Sequence, residues 1–298
     1  MHKYKKKLKN KTYVVAEIGC NHKGDVLIAK KMILAAKNAG ADYVKFQKRD
    51  NKYLLGSQYY EPHPVAENSY GKNYGEHRDF LEFSINQHKD LFKFCKKHKI
   101  KYSVSVWEKN SAIEFVKSKL PLEYIKVPSA CNTDFELLEY LGKKFKKKIH
   151  ISLGMTSDKE INQIFSLFKK LKRTKDLVFY SCTSDYPVKN EDVHLLDVID
   201  LRKKFERKIE AIAFSGHHLG ISHDVAAVTL GAKFVERHFT LDRTWKGTDH
   251  AASLEPQGLT KLVRDINLIN NSLKSKPGNK ILKCEFNQRN KLKRFKKN

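Results

Sequence analysis

The sequence predicts an α/β protein folded as a closed (β/α)8 TIM barrel, and three observations carry that prediction. Eight short runs rich in β-branched and aromatic residues recur along the 298-residue chain. Amphipathic, helix-like segments separate them, and no shift in composition marks an internal boundary. Regular alternation of strand and helix requires parallel strands joined by helical crossovers. Eight such units in one domain-sized chain point to a closed barrel rather than an open sheet.

The strand runs are YVVAEIG (13–19), DYVKFQ (42–47), KYSVSVW (101–107), YIKVPS (124–129), KIHISLG (148–154), LVFYSCT (177–183), AIAFSG (211–216) and FVERHFT (234–240). After the first, DVLIAKKMILAAKNAG has apolar residues at helical spacing and ends on Gly40, a C′ residue suited to a left-handed helix end. After the second come residues 48–86, opening KRDNKYLLGSQYYEPHPVAENSYGKNYGEHRDFLEFS. That segment is too long and too rich in Tyr, His and Gly for an idle connection, and on a barrel it is expected to cover the substrate. After the fifth run, SDKEINQIFSLFKK starts with Ser157 three residues before Glu160, a capping-box pattern. In the eighth run, period-2 alternation puts Phe234, Glu236, His238 and Thr240 on one face and turns Val235 and Phe239 toward the helices. The turn-rich piece that follows is expected to bring Asp249 over the barrel mouth. The barrel is thus assigned to 13–275, between a basic N-terminal extension (1–12) and a basic C-terminal tail (276–298).

Composition excludes several classes. No apolar run reaches the roughly 18 residues that a membrane-spanning helix needs. The opening MHKYKKKLKN is basic, but no apolar core or small-residue cleavage site follows it, so a cytoplasmic location is expected by default. Five scattered cysteines without a CxxC pair argue for reduced thiols and against a disulfide framework or zinc ribbon. A formal charge of +26 admits a nucleic-acid or anionic-surface partner. Lysine-rich solvated helix faces explain it better, because KKMILAAK, KFCKKHK and FKKLKRTK carry no aromatic-and-arginine stripe and no RNA-module signature. Nucleic acid is not an expected partner.

Barrels place their chemistry at the C-terminal ends of the strands. Those ends hold Glu17, Asn21 and His22; Lys45 and Gln47; Ser103 and Ser105; Lys126 and Ser129; Ser152 and Gly154; Thr183, Ser184 and Tyr186; Ser215 and His217; and Glu236 and His238. Any one of these could be structural, but so many ionisable groups inside a Val, Ile and Phe sheet are costly to bury without a ligand. Lys45 and Lys126, with Ser105, Ser129 and Ser184, suit a phosphate and a carboxylate. His217 and His238, on adjacent strands, could hold one divalent metal with positions open for water and substrate. Glu17 and Glu236 could serve as acid, base or orienting carboxylates. No GxxxxGK[ST] loop, no GxGxxG after a strand and no GxSxG elbow appears.

Taken together, AEIGCNHKGD, GADYVKFQ, YGKNYGEHRDFLEFS, KVPSACNT, SLGMTS, CTSDYP, SGHHLGI, GAKFVERHFTLDRTWKGTDHAASLEP and CEFNQRNKL resemble the sialic acid synthases, in order from about residue 13 to 292. The resemblance implies condensation of phosphoenolpyruvate with an amino sugar aldehyde: N-acetylmannosamine or its 6-phosphate, giving N-acetylneuraminate or its 9-phosphate, and phosphate. It implies Mn2+ or Mg2+ on His217 and His238, and phosphoenolpyruvate around Lys45, Ser105, Lys126, Ser129, Ser184 and Ser215. Gln47, Tyr186 and Asp249 would lie near the sugar, and Glu17 and Glu236 near the reacting carbons. A homodimer is compatible with it.

The pattern departs from the family in three places. Ser105 and Ser184 stand where many members have Thr and Asn. SGHH replaces the SDHT of many bacterial members, and with YGEHR and TWKGTDH it resembles the branch containing the animal enzymes, some of which take a phosphorylated sugar. Members also usually continue into an antifreeze-like domain that lends an arginine to the sugar site. Here KLKRFKKN ends the sequence, so either Arg78 or the basic tail stands in, or acceptor binding differs. Two alternatives stay open: a synthase for legionaminic, pseudaminic or deaminated sialic acid, and a non-catalytic basic binding protein on a degenerate barrel.

Overall fold

In the computed structural model, which describes residues 11–294, alternation along each strand sorts the chain into two cores. Side chains at one parity face the helices, as do Val14, Ala16, Val44, Phe46, Ile125, Ile149, Phe179 and Val235. Those at the other parity point inward, and the lower barrel is plugged by Val15, Tyr43, Tyr124, Val178, Tyr180, Ala213 and Phe234. Tyr124 stacks on His150 with ring centroids 3.7 Å apart, and Tyr13 on Phe234 at 5.0 Å. This apolar plug closes the bottom, so polar residues higher on the same strands meet only the upper mouth.

The strands are β1 Tyr13–Gly19, β2 Tyr43–Lys48, β3 Lys101–Val106, β4 Tyr124–Val127, β5 Lys148–Ser152, β6 Leu177–Cys182, β7 Ala211–Gly216 and β8 Phe234–His238. All pair in parallel, β1 closing on β8, to form one barrel. Several stop short of the sequence expectation. β4 ends before Pro128, which has no N–H to offer the ladder. β8 ends at His238, after which the Thr240 N–H bonds to the Leu254 carbonyl and its hydroxyl to His250. Thr240 therefore does not share the inward face assigned to it.

The helices are α1 Val26–Asn38, α2 Asn51–Leu55, α3 Tyr74–Phe80, α4 Ile85–Lys97, α5 Lys109–Ser118, α6 Phe135–Lys144, α7 Asp158–Lys170, α8 Asp197–Phe205, α9 Ser222–Leu230, α10 Pro256–Ser272 and α11 Phe286–Leu292. Gly40 follows α1 at φ +90°, a left-handed conformation that glycine adopts freely. Ser157 and Glu160 form the expected capping box on α7. The 48–86 segment folds into α2, α3 and short 3₁₀ turns and crosses toward the last βα loop. There the Tyr70 hydroxyl donates to the Lys246 carbonyl (2.6 Å) and the Gly247 N–H to Asn68 Oδ1 (3.2 Å).

The basic extension assigned to 1–12 lies outside the described residues but for its last two, as do the final four residues of the tail. Among the described residues no helix is long and apolar enough to cross a membrane.

Candidate active site

At the C-terminal ends of the strands the inward side chains surround a cavity of about 360 Å³. Parallel register sets its layers. Glu17 pairs with Lys45, Gln47 with Ser105, Ser105 with Lys126, and Ser215 with Glu236. Each of Glu17, Lys45, Gln47, Ser105, Lys126, Ser129, Ser184, Tyr186, Ser215, His217, Glu236, His238 and Asp249 lines this one space.

Four of them form a buried ionic floor. Lys45 Nζ lies 2.7 Å from Glu17 Oε2 and 3.7 Å from Glu236 Oε2, and donates to Ser105 Oγ at 2.5 Å. Lys126 pairs with Glu236 and sits over the Tyr180 ring. Ser215 donates to Glu236 Oε1 (3.3 Å) and Gln47 Nε2 to Glu17 Oε1 (3.1 Å).

Surroundings drive the two carboxylates apart. Burial raises the pKa of Glu17, with Lys45 opposing and Glu236 reinforcing. In Glu236 burial acts in the same direction but is outweighed by Lys126 and Lys45, which hold its carboxyl down at about 2. Lys126 is itself lowered by burial, with Glu236 opposing.

Hydroxyls converge on one wall. A Cβ on Gly154 would come within 2.3 Å of Ser184 Oγ and 2.8 Å of Ser129 Oγ, so only glycine leaves that corner open. The Gly154 N–H donates to Ser129 Oγ at 3.1 Å. Ser184 Oγ is buried with no partner among the described residues.

His217 and His238 stand with ring centroids 5.5 Å apart. His217 Nδ1 donates to the Thr183 carbonyl (2.9 Å), which leaves Nε2 with its lone pair available. Burial lowers His238 to about 4, although Asp249 opposes the shift. Its buried Nδ1 has no hydrogen-bond partner and lies 3.6 Å from Asp249 Oδ2. Two imidazoles, one with an orphaned nitrogen, fit a divalent metal that takes its other ligands from water or substrate. Among the described residues no cluster of three or more His, Cys, Asp or Glu forms a cage.

Other strand-end candidates face elsewhere. Asn21 bonds to the Phe239 carbonyl and Ser253, pinning the first βα loop to the last. His22 stacks on Phe83 at 3.9 Å. Ser103 donates to the Tyr124 carbonyl, and Thr183 to the Asp192 carbonyl. The cavity also takes in Arg49, Tyr74, Arg78, Trp107, Ser152 and Cys182. Arg49 and Trp107 continue the inward parity of Lys45–Gln47 and Ser103–Ser105 by one more step; extending the second run by two residues would have found Arg49, and Trp107 already closed the third.

With a charged and polar cavity at the mouth of a closed (β/α)8 barrel, the fold and site are those of a barrel enzyme. The chain belongs to the NeuB family, whose profile matches residues 32–277. It is 40% identical over 278 residues to the N-acetylneuraminate-9-phosphate synthase of Mus musculus, covering 93% of this chain and 75% of that one. It is 33% identical over 265 residues to the N,N'-diacetyllegionaminic acid synthase of Campylobacter jejuni, covering 88% and 78%. The crystal structure of the N-acetylneuraminic acid synthetase of Leptospira borgpetersenii superposes with a TM-score of 0.80 at 27% identity, covering 95% of this chain and 93% of that one.

Proposed function

We propose that this chain condenses phosphoenolpyruvate with an N-acetylhexosamine aldehyde, N-acetylmannosamine or its 6-phosphate, to give a nine-carbon sialic acid and phosphate. The observation that carries the reading is the buried Glu17–Lys45–Glu236–Lys126 floor opening into a hydroxyl-lined cavity. Two lysines and the Ser105, Ser129, Ser184 and Ser215 hydroxyls provide donors for the phosphate and carboxylate of phosphoenolpyruvate. They hold its C3 in register with the aldehyde. C3 attacks the aldehyde carbon, forming the C–C bond; the aldehyde oxygen takes up a proton; and positive charge develops at C2, facing Glu236, which stays ionised. Water adds to C2 as a carboxylate takes its proton, and the C–O bond to phosphate then breaks to leave the keto acid. Glu17, raised by burial, is suited to exchange that proton, while Glu236 supplies fixed negative charge.

His217 and His238 would hold a divalent cation, Mn2+ or Mg2+, which when bound supplies Lewis-acid polarisation of the sugar carbonyl. Gln47, Tyr186 and Asp249 would orient the sugar. A cytoplasmic location goes with the reading and agrees with five unpaired cysteines. Phosphate release from phosphoenolpyruvate, followed across acceptor sugars with and without chelator, tests it. Release that needs both an acceptor and a metal supports the synthase; none with any acceptor removes it. The similarity to a legionaminic acid synthase makes a diacetylated acceptor the second arm of that screen.

A further inference from the structure

The cavity has an upper layer that the ionic floor does not explain. Arg49 follows the last residue of β2 on the parity of Lys45 and Gln47. At ~3.3 Å per strand residue its backbone lies about 13 Å along the chain from that of Lys45. The Trp107 N–H bonds to the Lys48 carbonyl, which sets the indole at the same height. The Arg49 guanidinium lies over that indole, 3.3 Å from the ring centroid, and donates to Gln47 Oε1 at 2.6 Å. Arg78, from α3, lines the same layer and is 7% exposed. Its side chain donates to Cys20 Sγ at 3.4 Å, and among the described residues the Nε atoms of both arginines are buried without partners.

Among the described residues neither guanidinium forms an ion pair with a carboxylate, and Cys20 and Asp249 are the acidic groups that bear on both. The charge of Arg78 bears on Arg49: burial, then Arg78, lowers Arg49 to about 10. Two like charges held together in a half-dry layer require an anion. The floor lysines are paired with Glu17 and Glu236 and, in the condensation reading, taken up by phosphoenolpyruvate, which leaves a second anion to the arginines.

From this we infer that Arg49, braced on Trp107, and Arg78 form a second anion site that reads a phosphate on the far carbon of the acceptor sugar, and so set the enzyme's preference for a phosphorylated acceptor. The inference rests on the condensation reading. The aldehyde carbon must meet phosphoenolpyruvate at the floor, so an extended six-carbon acceptor points its terminal carbon up the cavity toward the arginines. Guanidinium is suited to the task because its planar fork grips phosphate in two places and stacks on an indole without losing that grip.

Calorimetric titration with N-acetylmannosamine 6-phosphate and with N-acetylmannosamine, on wild type, Arg49→Met, Arg49→Lys and Arg78→Met, tests the site without turnover. Arg49→Met is expected to weaken the phosphorylated sugar tenfold or more, about 1.4 kcal/mol, and to collapse its advantage over the unphosphorylated one. Arg49→Lys restores part of the loss, and Arg78→Met acts in the same direction. Equal weakening of both sugars, or weakening of phosphoenolpyruvate in place of the sugar phosphate, overturns the inference. Phosphate release is the separate arm. A protein that binds the sugar phosphate through Arg49 yet never consumes phosphoenolpyruvate loses the condensation reading and keeps the anion site.

Discussion

Two groups of buried charge flank β8, and they differ in what they face. Glu236 points into the barrel, where it meets Lys45 and Lys126 beneath an open cavity. Its neighbour Arg237, one residue on and therefore on the opposite side, points outward between β8 and α9. There Nη1 donates to Asp224 Oδ2 (2.6 Å) and the Gly220 carbonyl (2.7 Å), and Nη2 to the His218 carbonyl (2.6 Å). Both groups are almost fully buried. Burial of charge therefore does not mark a site. The inner group has space above it for a substrate, whereas the outer one is sealed by packing and joins strand to helix.

Substitution should split the two groups in opposite directions. Lys126→Met is expected to lower kcat/KM for phosphate release by at least ~100-fold, the scale of losing a preorganised charge at a reacting centre, while the protein stays folded in a denaturant titration. Arg237→Met should instead cost about 3–5 kcal/mol of unfolding free energy, since it leaves Asp224 buried without its cation. The folded fraction should keep a normal KM for phosphoenolpyruvate. If Lys126→Met unfolds the protein and Arg237→Met abolishes turnover without a change in stability, the contrast is reversed.

His217→Ala and His238→Ala sharpen the inner half. Each is expected to weaken Mn2+ binding more than tenfold, read by titrating the paramagnetic ion directly, and unchanged binding would remove the metal assignment.

Smaller effects lie outside the cavity. His22 is buried against Phe83, its Nδ1 accepts from the Gly24 N–H, and burial lowers it to about 3. The unfolded chain takes up this proton below about pH 6.5 while the folded chain does not. Stability is therefore full above 6.5 and falls as the pH drops from there toward 3, by about 1.4 kcal/mol per unit for such a histidine. Urea titrations at pH 7 and pH 5 should show the drop, and His22→Asn should remove this histidine's share of it while His88 and His150, likewise lowered by burial, keep theirs. Least of all, Ser157→Ala removes the α7 cap and should cost about 1 kcal/mol with no change in turnover.

Which of these groups could be read in the sequence follows from the range of the signals. Period-2 alternation is local, so Lys45, Lys126, Glu236 and His238 were legible as inward residues once the strands were found. Arg49 was not, because the second run was cut at Gln47, two residues short of it, and Trp107, though inside the third run, was passed over as an apolar end residue. Thr240 failed the other way: the period was carried past His238, where the backbone turns to pair with Leu254. Arg237 could be placed outside the barrel but not explained, since its partner Asp224 is on α9, and nothing local says which helix packs on β8. His22 and Asn21 looked like strand-end ligands because they sit just beyond β1. Only the tertiary contacts with Phe83 and Ser253 show that they fasten the loop.

Phosphate release from phosphoenolpyruvate, measured with N-acetylmannosamine and its 6-phosphate in the presence of Mn2+, tests the central claim most directly when wild type, Lys126→Met and Arg237→Met are run side by side. The account predicts acceptor-dependent release, one phosphate per sialic acid formed, by wild type and by the folded fraction of Arg237→Met, and near-complete loss in a well-folded Lys126→Met. Release that persists in Lys126→Met, or that no acceptor elicits from wild type, would contradict it.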